Sequence, residues 1–160
     1  MTDFDDRGIA TPEHDRIMVA LLNPEFWQKL LPSLFSEEEL SSKSATLEEL
    51  QVGEISLEVP VNKTYSPHYG DEVKTIIGYI DVLVPIQYNV SRASWVSSVI
   101  LGRIACEIKT AAEPSLGAVI RQIQKYRIYT NYKWLVVHPF PEWIKALETQ
   151  NIHSFLSTNL

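Results

Sequence analysis

Charged side chains stand inside apolar runs: Asp81 in "TIIGYIDVLVPIQY", and Glu107 with Lys109 in "SWVSSVILGRIACEIKT". A charge placed in an apolar strand loses hydration, so such positions ask for a partner or a task. Side chains alternate across a strand, so Glu107 and Lys109 share one face while Cys106 and Ile108 point to the other, toward the core. By the same rule Asp81 shares a face with Tyr79 and Leu83, and Ile80, Val82 and Val84 lie opposite. An antiparallel hairpin through the polar "NVSRAS" brings Asp81 beside Glu107. Two adjacent carboxylates repel unless a proton or cation intervenes, and a hard divalent ion resolves the conflict. Magnesium fits best, with manganese as a substitute ion. It uses one or two protein carboxylates and keeps its other positions for water and phosphate oxygens, which suits phosphodiester hydrolysis. Lys109 would orient or deprotonate the attacking water and offset charge developing on the phosphate.

The elements that must position these groups are legible in outline. "TPEHDRIMVALLN" has Thr11 as a candidate N-cap, Pro12 at the first helical position, and Ile17, Met18, Leu21 and Leu22 on one face. Asn23 and Pro24 open a second short helix, "PEFWQKLL", closed by Pro32. The acidic, Ser-rich "SEEELSSKSATLEELQVG" reads as a capped helix or a solvated loop and is assigned no chemistry. From Glu54 the period becomes two, with Ile55, Leu57, Val59 and Val61 on one buried face. Two further strands follow, the first bent at Gly78. Then come a helix with Leu116, Val119, Ile120 and Ile123 at helical spacing, a short strand "KWLVVHP", and a last helix opened by Pro141. The order predicts one α/β domain over residues 1–160, with the last strand parallel to the third through the helical crossover.

A chain of 160 residues that is 45% hydrophobic can bury a real core. No apolar stretch approaches the roughly 18 residues that span a bilayer, and the acidic start "MTDFDDRG" is not a targeting leader, so a soluble, cytoplasmic protein is expected. The single cysteine, Cys106, excludes an internal disulfide and reads as core. The net charge of -6 argues against a nucleic-acid partner until its distribution is read. Residues 1–58 hold 13 acidic and 4 basic side chains, whereas residues 103–133 hold 6 basic and 2 acidic ones. The chain is polarised, with one basic sector.

"GYIDVLV", then "EIK" with 25 residues between Asp81 and Glu107, then a helix containing "QIQKY", resembles the PD-(D/E)XK nuclease superfamily. The pattern at Gln122 and Tyr126 is similar to its RecB-like and lambda-exonuclease-like branches, and "LGAVIRQIQKYR" resembles the helix of type I restriction-enzyme nuclease domains. The resemblance covers roughly residues 11–138. It implies a restriction-endonuclease-like αβββαβ core with a central mixed sheet flanked by helices. It also implies a magnesium site of Asp81, Glu107 and the Ile108 carbonyl, and Lys109 as catalytic lysine. Gln122 and Tyr126, four residues apart on one helix face, would approach the site and the DNA backbone, where Arg121 and Lys125 would meet phosphates. Ile80 stands where the family nominally has proline. The family also carries a glutamate on its first helix. Glu13 is the choice for it here, with His14, Asp15 and the strand residue Glu58 as alternatives.

The function so implied is magnesium-dependent DNA hydrolysis by a metal-activated water. Cutting both strands with one site per chain favours a homodimer. A second reading, from a different class, is a nuclease-like subunit that binds within a larger nucleic-acid-processing or defence complex. The acidic N-terminal third motivates it, since that surface would repel DNA and suit a protein partner. The bland readings are an exposed strand pair at Glu107 and Lys109 and the polar flank of an amphipathic helix at Gln122 and Tyr126. The four histidines lack zinc-ligand spacing, and Trp27, Trp95, Trp134 and Trp143 read as core.

Overall fold

Pro12 lacks the N–H that a helix start leaves unpaired, and in the computed structural model the first helix begins on it: α1, Pro12–Ala20. The structure describes residues 12–35, 48–65, 70–91, 97–111 and 115–160. Thr11, Trp95 and most of the acidic Ser-rich segment therefore lie outside the described residues. Asn23 caps α2 (Pro24–Leu30), its side-chain oxygen accepting from the Glu25 N–H at 3.1 Å, and a 3-10 turn over Leu31–Leu34 ends it at Pro32 as expected.

The strands are β1 (Glu48–Val52), β2 (Ser56–Tyr65), β3 (Val73–Ser91) and β4 (Ser97–Ile108). After them come α3 (Leu116–Arg127), β5 (Lys133–His138), α4 (Ile144–Thr149) and β6 (His153–Leu156). One six-stranded sheet runs β1-β3-β4-β5-β6, with β2 also paired to β3. β1 and β2 share one edge of the 19-residue β3, antiparallel to its two ends. β3 and β4 form the antiparallel pair expected from the hairpin, and β4 and β5 are parallel, as the helical crossover requires.

The fold is α/β, a mixed sheet between two helical layers. Ile17, Leu21, Trp27 and Leu31 pack one face of the sheet onto Val82, Val84, Ile104, Cys106, Ile108 and Val137. Val119, Ile123, Tyr126, Trp143 and Leu147 pack the other face onto Ile80, Ala105, Trp134 and Val136. Cys106, Trp27, Trp134 and Trp143 are core residues, as read.

Three expectations change. Glu48–Val52 is neither helix nor loop but a strand, because the C-terminal half of β3 offers it an unpaired edge. β2 exists, but Leu57 is 38% exposed and only Val61 of the alternating set is fully buried, since β2 is an edge strand over the splayed half of β3. Finally, Ile80 does not share a face with Val82 and Val84: it belongs to the α3 side and they to the α1 side. The alternation breaks at Asp81, where pairing with β4 has ended at Val82↔Cys106 and Glu58 of β2, opposite, takes φ 50°.

A candidate acidic centre where two strands part

The last β3–β4 pair is Val82↔Cys106, and one step further Asp81 and Glu107 stand across from each other outside the ladder. The Asp81 carboxylate takes over the missing bond: its Oδ2 accepts from the Ile108 N–H at 2.8 Å. On the far side the Lys109 N–H donates to the Val137 carbonyl at 2.9 Å, so β4 stays fixed to β5 while it leaves β3. This parting makes room for side chains.

Asp81, Glu107 and Lys109 are 3%, 2% and 5% exposed, respectively. Lys109 Nζ lies 3.9 Å from Glu107 Oε2 and donates to Gln122 Oε1 at 3.2 Å. Gln122 Nε2 in turn donates to the Tyr126 hydroxyl at 3.3 Å. The helical spacing of four residues thus makes a relay from the acidic pair to the last turn of α3. Burial, and next the negative charge of Asp81, push the Glu107 carboxyl well above the usual carboxylate range, with Lys109 opposing. The Cys106 thiol is pushed up in the same way, by burial first and then by the two carboxylates, so it is inert core.

His14 completes the cluster. It is buried, with Nε2 3.6 Å from Asp81 Oδ1 and Nδ1 3.7 Å from Asp15 Oδ1. Glu13, the residue chosen from the first helix, is exposed, and Asp15 is exposed as well. The helix phase explains this, because His14 lies three and seven residues before the buried Ile17 and Leu21, on the inward stripe, and Glu13 does not. That signal was present in the sequence.

Ser115 caps α3, its hydroxyl accepting from the Ala118 N–H at 3.4 Å. Tyr126 does not face outward to meet DNA. It is buried, stacked on Trp134 at 5.9 Å between ring centroids, and lies against Gly78 of β3, so it holds Gln122 instead. Arg121 and Lys125 are exposed on the same helix, Lys125 donating to the Ile77 carbonyl at 3.2 Å.

The donor set suits a magnesium ion on one observation: Glu107 Oε1 is buried and has no hydrogen-bond partner among the described residues, which a bound cation would satisfy. Among the described residues, no three His, Cys, Asp or Glu side chains converge as a metal cage. Two carboxylates and a backbone carbonyl do not require one, because magnesium takes few protein ligands. No protein-family model matches the chain, and no curated protein or solved structure matches it significantly. Among the described residues, no helix is long and apolar enough to cross a membrane.

Proposed function

We propose that the chain is a divalent-metal-dependent DNA nuclease with a PD-(D/E)XK-type core and active centre. The observation that carries this reading is the buried Asp81–Glu107 pair with Lys109 Nζ held 3.9 Å from Glu107 and aimed by Gln122. Two buried carboxylates are costly unless charge is brought to them, and a lone ammonium does not neutralise both. Asp81, Glu107 and the Ile108 carbonyl would hold magnesium or manganese, which supplies charge neutralisation and acidifies water at the scissile phosphate.

The chain's own groups do the rest. Lys109 places a positive charge beside the reacting phosphate and, as a hydrogen-bond donor, orients the attacking water. Gln122, held between Lys109 and Tyr126, fixes the direction of that ammonium. His14, 3.6 Å from Asp81, gives it a partner from the opposite helical layer. Arg121 and Lys125, exposed on α3, lie where a phosphate backbone approaching Gln122 would run. A second copy of the chain would supply the site for the other strand of a duplex.

One observation favours the second reading, a nuclease-like subunit that binds without cutting. The three central charges are almost closed to solvent, so substrate entry requires their surroundings to open. One experiment separates the two. The purified chain is incubated with supercoiled, linear and single-stranded DNA, with and without magnesium. Metal-dependent cleavage is expected, reduced about a hundredfold or more by Lys109→Ala at unchanged melting temperature. Inactivity on every substrate with magnesium and manganese would select the binding subunit.

A further inference from the structure

β2 and β3 run on together past the point where β4 leaves. The last β3–β4 pair is Val82↔Cys106, whereas the β2–β3 pairs continue to Tyr65↔Val73. α3 covers the first part of this extension, where Val61 and Ile80 are buried and Lys125 Nζ donates to the Ile77 carbonyl at 3.2 Å. The register then shifts between Val61 and Asn62, and a β-bulge of this kind bends and twists its strand. Beyond it, residues 62–65 and 73–76 form a two-stranded ribbon in which every residue is exposed.

Residues paired across antiparallel strands share a face. Lys63↔Thr75 and Tyr65↔Val73 make one face of the ribbon, and Asn62↔Ile76 and Thr64↔Lys74 make the other. Each face therefore carries one lysine, one threonine and apolar surface. Tyr65 is 63% exposed on the first face and Ile76 50% on the second, so neither packs against the body of the protein. A two-stranded ribbon is marginal by itself, and this one asks for a partner on both faces. Among the described residues neither lysine has an ion-pair partner. Asp71 and Glu72 lie beyond the last pair, toward the turn, so the charges on the paired part are both positive.

Dimensions and charge choose that partner. Facing sheets pack about 10 Å apart, so a ribbon with side chains on both faces is about 10 Å thick. The major groove of duplex DNA is about 12 Å wide between two phosphate walls, and the minor groove only about 6 Å. A ribbon standing on edge in the major groove turns Lys63 to one wall and Lys74 to the other. Lys74 precedes Asp81 by seven residues of the same strand, about 24 Å, which is about seven base pairs of duplex. Ribbon and acidic centre can thus lie on one duplex.

We propose that this ribbon is a duplex-binding arm that enters the DNA major groove, with Lys63 and Lys74 on its two phosphate walls. The proposal rests on the nuclease reading for its choice of a nucleic acid, and it makes the substrate a duplex.

The test is fluorescence anisotropy of the full chain with a labelled duplex of about 20 base pairs, two helical turns, and with one of its strands alone, in EDTA and in calcium across a salt series. Lys63→Gln with Lys74→Gln should weaken duplex binding at least about tenfold at about 0.1 M salt, and flatten the slope of log affinity against log salt by about one unit per lysine, at unchanged melting temperature. Single-strand affinity should change less than about threefold, and Lys145→Gln, at an exposed position on α4, should leave both unchanged. A duplex carrying bulky groups at pyrimidine C5, which project into the major groove, should bind at least about tenfold more weakly. Absence of duplex binding, unchanged duplex affinity in the double variant, or equal loss on duplex and single strand overturns the arm; if that chain still cuts DNA, the nuclease reading survives. Lysine-dependent duplex binding by a chain that cuts nothing with magnesium keeps the arm and removes the nuclease reading. A dimer that Val73→Ser with Ile76→Ser dissolves, at unchanged duplex affinity, assigns the ribbon to a second copy and likewise overturns the arm.

Discussion

Gly78→Ala tests the relay from the sheet to Lys109 by a single methyl group. A Cβ built on Gly78 would stand 2.6 Å from Tyr126 Cζ and 2.7 Å from Cε1, and closer still to the hydroxyl. Ordinary carbon contacts lie about 1 Å further out, so the ring must retreat by that amount. It has little freedom to do so, being buried, stacked on Trp134 and bonded to Gln122. Overpacking of this kind costs about 1–3 kcal/mol, which lowers the melting temperature of a domain this size by a few degrees to about ten. Displacing the ring also strains the Gln122 bond, worth about 1 kcal/mol, and releases Lys109, so the proposed nuclease activity should fall about fivefold or more beyond the stability loss. Tyr126→Leu in the same chain removes the obstructing ring atoms and should recover most of the melting temperature without recovering activity. Tyr126→Phe should recover little, because the ring carbons remain. The assays are thermal unfolding and initial cleavage rate at a temperature well below every transition. Gly78→Ala as stable as the parent chain, or no suppression by Tyr126→Leu, refutes the packing argument.

Two further outcomes follow from the charges. In the absence of divalent metal, Glu107→Gln should raise the melting temperature at neutral pH, because burial and Asp81 hold the folded Glu107 pKa above its unfolded value. The stability that Glu107 contributes is complete below the unfolded value of about 4.3 and is lost as pH rises through the raised folded value, so the parent-minus-variant difference should decline with pH. A pH-independent difference contradicts the assignment. In a cleavage-dead Asp81→Asn background with calcium present, Arg121→Ala with Lys125→Ala should weaken binding to all DNA sequences alike and flatten the slope of log affinity against log salt by about one unit per lost phosphate contact. An unchanged slope places the DNA away from α3.

Local periodicity made most of the fold legible, and long-range pairing decided the rest. The helix at Leu116–Arg127 carried its own N-cap and apolar stripe, and the parallel β4–β5 pair followed from the crossover it forms. β1 left a fainter trace. Leu50 and Val52 alternate with the exposed Gln51 over too few residues to mark a strand, and the free edge of β3 makes it one. The face change at Asp81 was equally hidden, because alternation presumes a regular ladder and the ladder stops there. The acidic pair was legible because its members interrupt apolar runs. The first-helix partner was a matter of helical phase: His14 continues the stripe of Ile17 and Leu21, whereas choosing by charge alone leads to Glu13. Tyr126 shows the converse error, since an aromatic hydroxyl four residues from Gln122 reads as an outward contact until the glycine beneath its ring is seen.

Asp81 holds two tasks that substitution can separate. Its Oδ2 ends the β3–β4 ladder by accepting from the Ile108 N–H at 2.8 Å, and its negative charge raises the Glu107 pKa and faces His14. An asparagine keeps an oxygen acceptor for the first task and removes the charge required for the second. An alanine removes both and strands a backbone donor in an environment closed to water, which costs about 1–3 kcal/mol. Asp81→Asn should therefore match or exceed the parent chain in metal-free melting temperature while losing magnesium affinity, and Asp81→Ala should melt several degrees lower. Hydrogen exchange at Ile108 supplies the local reading: protected in the parent chain and in Asp81→Asn, and faster in Asp81→Ala. If Asp81→Ala is as stable as Asp81→Asn and Ile108 stays equally protected, the carboxylate does not close the ladder, and the parting of the strands needs another cause.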